Sequence, residues 1–196
     1  MNYNYQKITQ LLNFFASKTS NSRIQKLKAI KLIWAADRYH LRKYGRLVST
    51  DDYVAMKYGP VGSVTKRIAE DDRFFMDLHV LDYAKDYVTP DDSGNIVISH
   101  KAVDESRFSK TDIEALEFAW GTFGRLDGFK IAKISHEYPE WLKFKDVIEA
   151  GEQKRTDIEP IDFFKNPKKL TLIKKDPFEI SPEILESSEE IYTGAF

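Results

Sequence analysis

Cysteine is absent from the 196 residues. That removes disulfide frameworks, cysteine zinc sites and thiol nucleophiles together. It also fits a reducing compartment, so a cytoplasmic location is expected. Glycine is sparse, nine residues in all, and neither GxxxxGK[ST] nor GxGxxG occurs, so no phosphate-cradling loop is visible. Long apolar runs are missing as well: IKLIWAA contains Lys31 and falls far short of the ~20 residues that span a bilayer. The N-terminal MNYNYQKITQ has no apolar run after a basic start and shows no secretory signal. No membrane partner is expected. Excess charge is also lacking, with 30 Lys+Arg against 31 Asp+Glu, which argues against a generally basic nucleic-acid binder. The histidines, His40, His79, His100 and His136, form no HExxH or other close ligand spacing. No metal, no cofactor and no catalytic residue is therefore assigned.

What remains is a chain with 42% apolar and 13% aromatic residues, enough for one packed domain that buries roughly 70% of its unfolded surface. Charge is polarised only at the end. Residues 165–175 carry five lysines and no acid, and residues 176–196 carry six acids and no base. The 3.6-residue period predicts a helix over 5–16 through Ile8, Leu11, Leu12 and Phe15. A longer one is predicted over 23–44, ended by Gly45. Apolar residues cover most of that second helix, which reads as the central post of the domain. Alternation around 53–58 predicts an extended segment, and Pro60 is expected at the start of a helix over 61–68. The run DYVTPDDSGNIVISH reads as a hairpin. Ser109 and Asp112 read as a capping pair before a helix ending near Gly124. Another helix is expected over 127–136, and Ser181 with Pro182 opens a last one. The fold class is mainly α, a single helical domain around a buried central helix with a small β-hairpin element.

Few residues carry chemistry. Asp37 and His40 lie three apart on the central helix and can touch. Without an adjacent nucleophile, the pair reads as a buried histidine held by a carboxylate. The doublets Asp51-Asp52, Asp71-Asp72 and Asp91-Asp92 sit at loop or helix boundaries, where acids solvate turns and oppose helix dipoles. At 100° per residue, Lys28, Lys31, Arg38 and Arg42 fall in one narrow stripe. The stripe is a solvated face, a docking strip for an acidic partner (the chain's own residues 179–190 included) or a phosphate track. KYGPVG, residues 57–62, must turn sharply at a defined place. It is flanked by Tyr53 and Tyr58, residues of a type enriched at interfaces. At the end, Ile184, Leu185, Ile191 and Tyr192 share one helix face and can anchor on a partner.

Three stretches, KAIKLIWAADRYHLRKYGR (28–46), DDYVAMKYGPVGSV (51–64) and ISHEYPEWLKF (134–144), together resemble the SocA-like, or Panacea, antitoxin domain, related to phage-associated GepA-like proteins. The family-like positions are Asp37, His40, Gly45, Tyr53, Lys57, Gly59, Pro60, Val61, His136 and Trp141, most of them reading as structural. The resemblance implies a non-enzymatic antitoxin, residues 1–160, that neutralises a cognate toxin encoded nearby by direct protein contact. Residues 161–196 are then a charged extension, a terminal helix or partner-binding tail, and a cut near residue 165 is expected to leave a folded body. The alternatives are an adaptor that delivers a toxin to a protease, and a nucleic-acid-binding regulator. Nucleic acid is not the expected partner.

Overall fold

Helix α2 (Lys26–Tyr44) lies at the centre of the computed structural model, which describes residues 3–194, with α1, α5, α6 and α9 packed against it. From Ala29 to Arg42 only Tyr39 keeps appreciable exposure, so this helix is buried on every side. Gly45 ends it in the left-handed conformation, φ +69°, with its N–H on the Leu41 carbonyl, the cap that a residue without Cβ takes at least cost.

Helix α1 (Tyr5–Ser17) starts where Asn4 caps the Lys7 N–H at 3.0 Å and buries Ile8, Leu11, Leu12 and Phe15 against the core. Strand β1 (Arg23–Gln25) precedes α2; residues 23–25, expected as the first helical turn, instead pair with a later strand. Strands β2 (Tyr53–Met56) and β3 (Gly59–Gly62) form a hairpin. Helix α3 (Ser63–Ala69) follows, starting two residues later than expected. Pro60 therefore lies in a strand and not at a helix start. Its missing N–H is tolerated because β3 is the outer strand of its sheet.

Helix α4 (Leu78–Tyr87) leads into β4 (Val88–Pro90) and β5 (Ile96–Ser99), joined by the expected turn. There the Asp91 carboxylate accepts from the Asn95 and Ile96 N–H groups, each at 3.1 Å. Tyr87, expected in the hairpin, closes the helix. Helix α5 (Lys110–Phe123) opens with the capping box of Ser109 and Asp112. Asp112 also pairs with Lys7 at 2.8 Å, tying α5 to α1. Helices α6 (Gly128–Ser135), α7 (Pro139–Leu142) and α8 (Lys145–Glu149) lead to β6 (Arg155–Asp157). Helix α9 (Pro182–Thr193), capped by Ser181, is the last. The strands form two antiparallel three-stranded sheets, ordered β1-β5-β4 and β3-β2-β6. The molecule is mainly α with a small β component, although that component is two sheets where one hairpin was expected.

The stripe of bases on α2 is not open. Lys31, Arg38 and Arg42 are buried, because the chain beyond residue 160 and the segment around Glu140 cover them. Arg38 pairs with Glu140 at 2.7 Å, both side chains fully buried, and donates to the Lys165 carbonyl at 2.8 Å. Arg42 donates to the carbonyls of Phe163 at 3.0 Å, Phe164 at 2.5 Å and Phe178 at 3.0 Å, and to Asn166 Oδ1 at 2.6 Å. Burial, and then the Arg38 charge, push its guanidinium down to about 10, still cationic at neutral pH. Phe163, Phe164 and Phe178 belong to the hydrophobic core. Phe163, Phe164 and Phe178 thus fasten this part of the extension to the core, and α9 follows it. That helix docks on the end of α2, where a Cβ on Gly45 would sit 2.7 Å from Ile191 Cγ2 and from the Ser188 carbonyl.

These contacts reverse the outcome expected of a cut near residue 165. Deleting 182–196 leaves a cooperative thermal transition, whereas deleting 166–196 strips Phe178 and the Arg42 acceptors and abolishes it, as followed by circular dichroism. Arg42→Met leaves several buried carbonyls unpaired, and urea unfolding should show a loss of about 3 kcal/mol.

Candidate partner-binding groove

The β2–β3 hairpin is bolted to the core from both sides. Lys31 Nζ donates to the Pro60 carbonyl at 2.5 Å, and Trp141 Nε1 donates to the Met56 carbonyl at 2.8 Å. Burial holds the Lys31 ammonium well below its ordinary pKa, opposed by the charge of Glu140. Gly59 stands between these bolts at φ +96°. A Cβ there would strike Ser135 Oγ and come within 2.9 Å of Lys31 Nζ and 3.3 Å of His136 Cδ2. Only glycine fits. His136 stacks on Trp141 with ring centroids 3.7 Å apart. Burial, then the Lys31 and Lys145 charges, push it down to about 4, so it is neutral at pH 7.

Asp37 and His40 do not pair with each other. Buried Asp37 accepts from the Ser49 N–H at 2.8 Å, from the Ser49 hydroxyl and from Tyr53 Oη at 2.8 Å. Burial still raises its carboxyl to about 6 despite those donors. It holds the loop that feeds β2. Asp51 continues the task at the start of α3, accepting from the N–H groups of Val64 at 2.9 Å and Thr65 at 2.7 Å. His40 Nδ1 lies 2.8 Å from the Arg46 carbonyl, which can only accept. The proton is therefore on Nδ1, leaving Nε2 to accept from the Thr111 hydroxyl at 3.0 Å. Burial pushes His40 down to about 4. These side chains shape loops and meet in no common pocket.

What the scaffold presents is the turn Lys57–Tyr58. Beside it runs a groove of about 490 Å³, floored by Leu27, Ile30, Met56 and Val61 and edged by Tyr58 and Phe129. Tyr58 is 46% and Phe129 51% exposed, packed edge to face at 5.8 Å. On the far side of Phe129 a second depression, about 350 Å³, adds Leu172, Lys130 and Lys133. Leu172 is held there by its own N–H, 3.4 Å from the Glu137 carboxylate, and by the three bonds Thr171 makes to the same group. Lys26 and Lys66 on the groove rim both pair with Glu70, at 2.9 and 2.5 Å. Lys57, Lys130 and Lys133 are exposed and have no carboxylate within ion-pair reach among the described residues.

Of the candidates read from sequence, Tyr58 lies at this groove. Tyr53 is buried under Asp37 and Phe163, and Lys31, Arg38 and Arg42 are interior, so none of the four offers a contact surface. Lys28 is half-buried, its Nζ on the Gly124 carbonyl at 2.6 Å and over the Trp120 ring. On α9, Leu185 packs inward, while Ile184, Ile191 and Tyr192 stay exposed at the other end of α2. Phe129 was not singled out by sequence, although a signal existed. Helix α6 buries Ile131, Ala132, Ile134 and Ser135, so an aromatic off that face with Lys130 and Lys133 beside it has no internal partner. Phe74, 96% exposed, with Phe75 and Leu78, makes a separate apolar patch between α3 and α4.

His40 and His136 give a pH test. Their folded pKa values lie below the free value, so their contribution is complete above about 6.5 and is lost as pH falls toward 4. Asp37, Asp51 and Glu140, each raised by burial, favour the acid side instead. The share of the two histidines in the melting temperature should fall between pH 6.5 and 4. His136→Phe keeps the stacked ring without titrating and should make that fall shallower; an unchanged profile would remove His136 from the account.

Among the described residues no helix is long and apolar enough to cross a membrane, and no group of three or more His, Asp or Glu side chains is placed to hold a metal ion. No curated protein matches the chain, and no solved structure does. A family model described as "Antitoxin SocA-like, Panacea domain" matches residues 30–142, which span most of α2, the β2–β3 hairpin, both groove aromatics and the Lys31 and Trp141 bolts. The chain belongs to the SocA-like, Panacea-domain antitoxin family.

Proposed function

We propose that this protein is a non-enzymatic antitoxin that neutralises a cognate toxin by binding it directly, with the groove between Tyr58 and Phe129 as the contact face. One observation carries the reading: the residues matched by the family build a rigid hairpin whose tip displays an aromatic, a lysine and an apolar groove to solvent. Aromatic anchors in a pocket with a charged rim are the usual composition of a binding hot spot. The groove volume also lies within the ~300–1,000 Å³ of sites that hold several side-chain-sized groups. Buried Lys31, Arg38 and Arg42 leave α2 no phosphate track, which disfavours a regulator that reads nucleic acid through that helix. Asp37 and His40 are committed to structural partners, and neither lines the depression that His136 borders, so the three do not converge for hydrolysis.

Coexpression with the gene product encoded beside this chain is the test. Growth should be restored by the wild type and lost with the double variant Tyr58→Ala, Phe129→Ala, while thermal melting shows the variant folded. Each anchor is expected to contribute about 2 kcal/mol, roughly 30-fold in affinity. Rescue that survives the double variant would place the contact elsewhere. Rescue accompanied by disappearance of the toxin, reversed in a protease-deficient host, would mark an adaptor instead.

A further inference from the structure

We infer that the groove takes a short acidic segment of its partner, two or three apolar anchors set among Asp and Glu residues. The inference deepens the contact face proposed above and rests on it. Its first support is charge. The chain is near neutral overall, yet the charges bordering the two depressions are mostly lysine: Lys26, Lys57, Lys66, Lys130 and Lys133 against Glu70 and Asp127. Glu70 is consumed by Lys26 and Lys66, and Asp127 caps α6 by accepting from the Lys130 N–H at 2.9 Å. Lys57, Lys130 and Lys133 are left to face an incoming chain. A rim of one sign around an apolar floor selects a ligand of opposite sign and speeds its encounter.

The second support is shape. Aliphatic side chains floor the groove, and the two aromatics stand at 80° to one another. A platform for nucleobases needs free parallel ring faces; an aliphatic trough with an edge-to-face pair at its lip suits Leu, Ile or Phe side chains. The chain's own acidic stretch is not the occupant, because α9 is docked at Gly45 and the far end of α2. A segment crossing Phe129 would bury one anchor in each depression, with its carboxylates over Lys57 on one side and Lys130 and Lys133 on the other.

A display library of random 16-residue peptides, selected on the full chain and counter-selected on Tyr58→Ala, Phe129→Ala, reads this directly. Enriched peptides should be acidic with paired apolar positions. Lys57→Glu, Lys130→Glu, Lys133→Glu together should weaken a selected synthetic peptide about tenfold at low salt. The wild-type affinity should fall as salt is raised. Neutral or basic winners, winners indifferent to the aromatic variant, or no enrichment would overturn the inference. So would competition by single-stranded dT20, or self-association of the chain lost in the same variants. If the toxin stays lethal while acidic peptides are enriched, the antitoxin reading fails and this one stands. If the charge-reversed protein rescues growth as well as the wild type, the antitoxin reading stands and this one fails.

Discussion

The architecture depends on the desolvation of three cations along one stripe of α2. A guanidinium or ammonium removed from water must recover its hydrogen bonds inside the protein or destabilise the fold by several kcal/mol. Arg38 recovers those of its two terminal nitrogens from Glu140 and a backbone carbonyl, its Nε staying unpartnered, Lys31 turns to the Pro60 carbonyl, and Arg42 to carbonyls of three residues far along the chain. One carboxylate serves this stripe directly. Neutral carbonyls do the rest, and carbonyls are available only if the backbone of 163–178 and of the hairpin is brought alongside. The stripe thus dictates where the chain must wrap, and the wrapping buries Phe163, Phe164 and Phe178 with it.

This explains which parts were legible in the sequence. Apolar periodicity located α1, α2, α5 and α9 to within a few residues, and local cap chemistry placed Ser109, Asp112, Gly45 and Ser181. Those signals are short-range. The stripe of Lys31, Arg38 and Arg42 was correctly placed on one face, but a helical wheel reports direction and not whether another segment covers it. The covering groups are mostly backbone carbonyls, that of Pro60 for Lys31 and those of 163–178, more than 100 positions away, for Arg38 and Arg42, and carbonyls leave no mark in side-chain type. Asp37 and His40 failed similarly. Adjacency on a helix made their contact feasible, while the Ser49 N–H and the Arg46 carbonyl, supplied by the loop after α2, gave each a better partner.

The distinctive KYGPVG segment was legible as a sharp turn, and its physical role follows from what immobilises it. The turn residues Lys57 and Tyr58 lack positive φ, and Gly59 carries the left-handed strain after them, the usual glycine position following a two-residue turn. Lys31, Ser135 and His136 crowd Gly59 from behind. Tyr58 is therefore exposed without being mobile, and less conformational entropy is lost when a partner orders it.

Rigid presentation also separates two jobs that share one segment. The residues facing inward, Gly59, Pro60, Lys31 and Trp141, set the position of the tip and are intolerant of change, because each is packed or bonded on all sides. The residues facing outward, Lys57, Tyr58, Phe129, Lys130 and Lys133, make few internal contacts, so replacing them costs little stability. A binding face built in this way can change its chemistry while its framework stays fixed, since solvent-facing side chains carry little of the fold's stability. Partner choice then resides in the rim and the lip of the groove, and the buried cations determine only that such a groove exists.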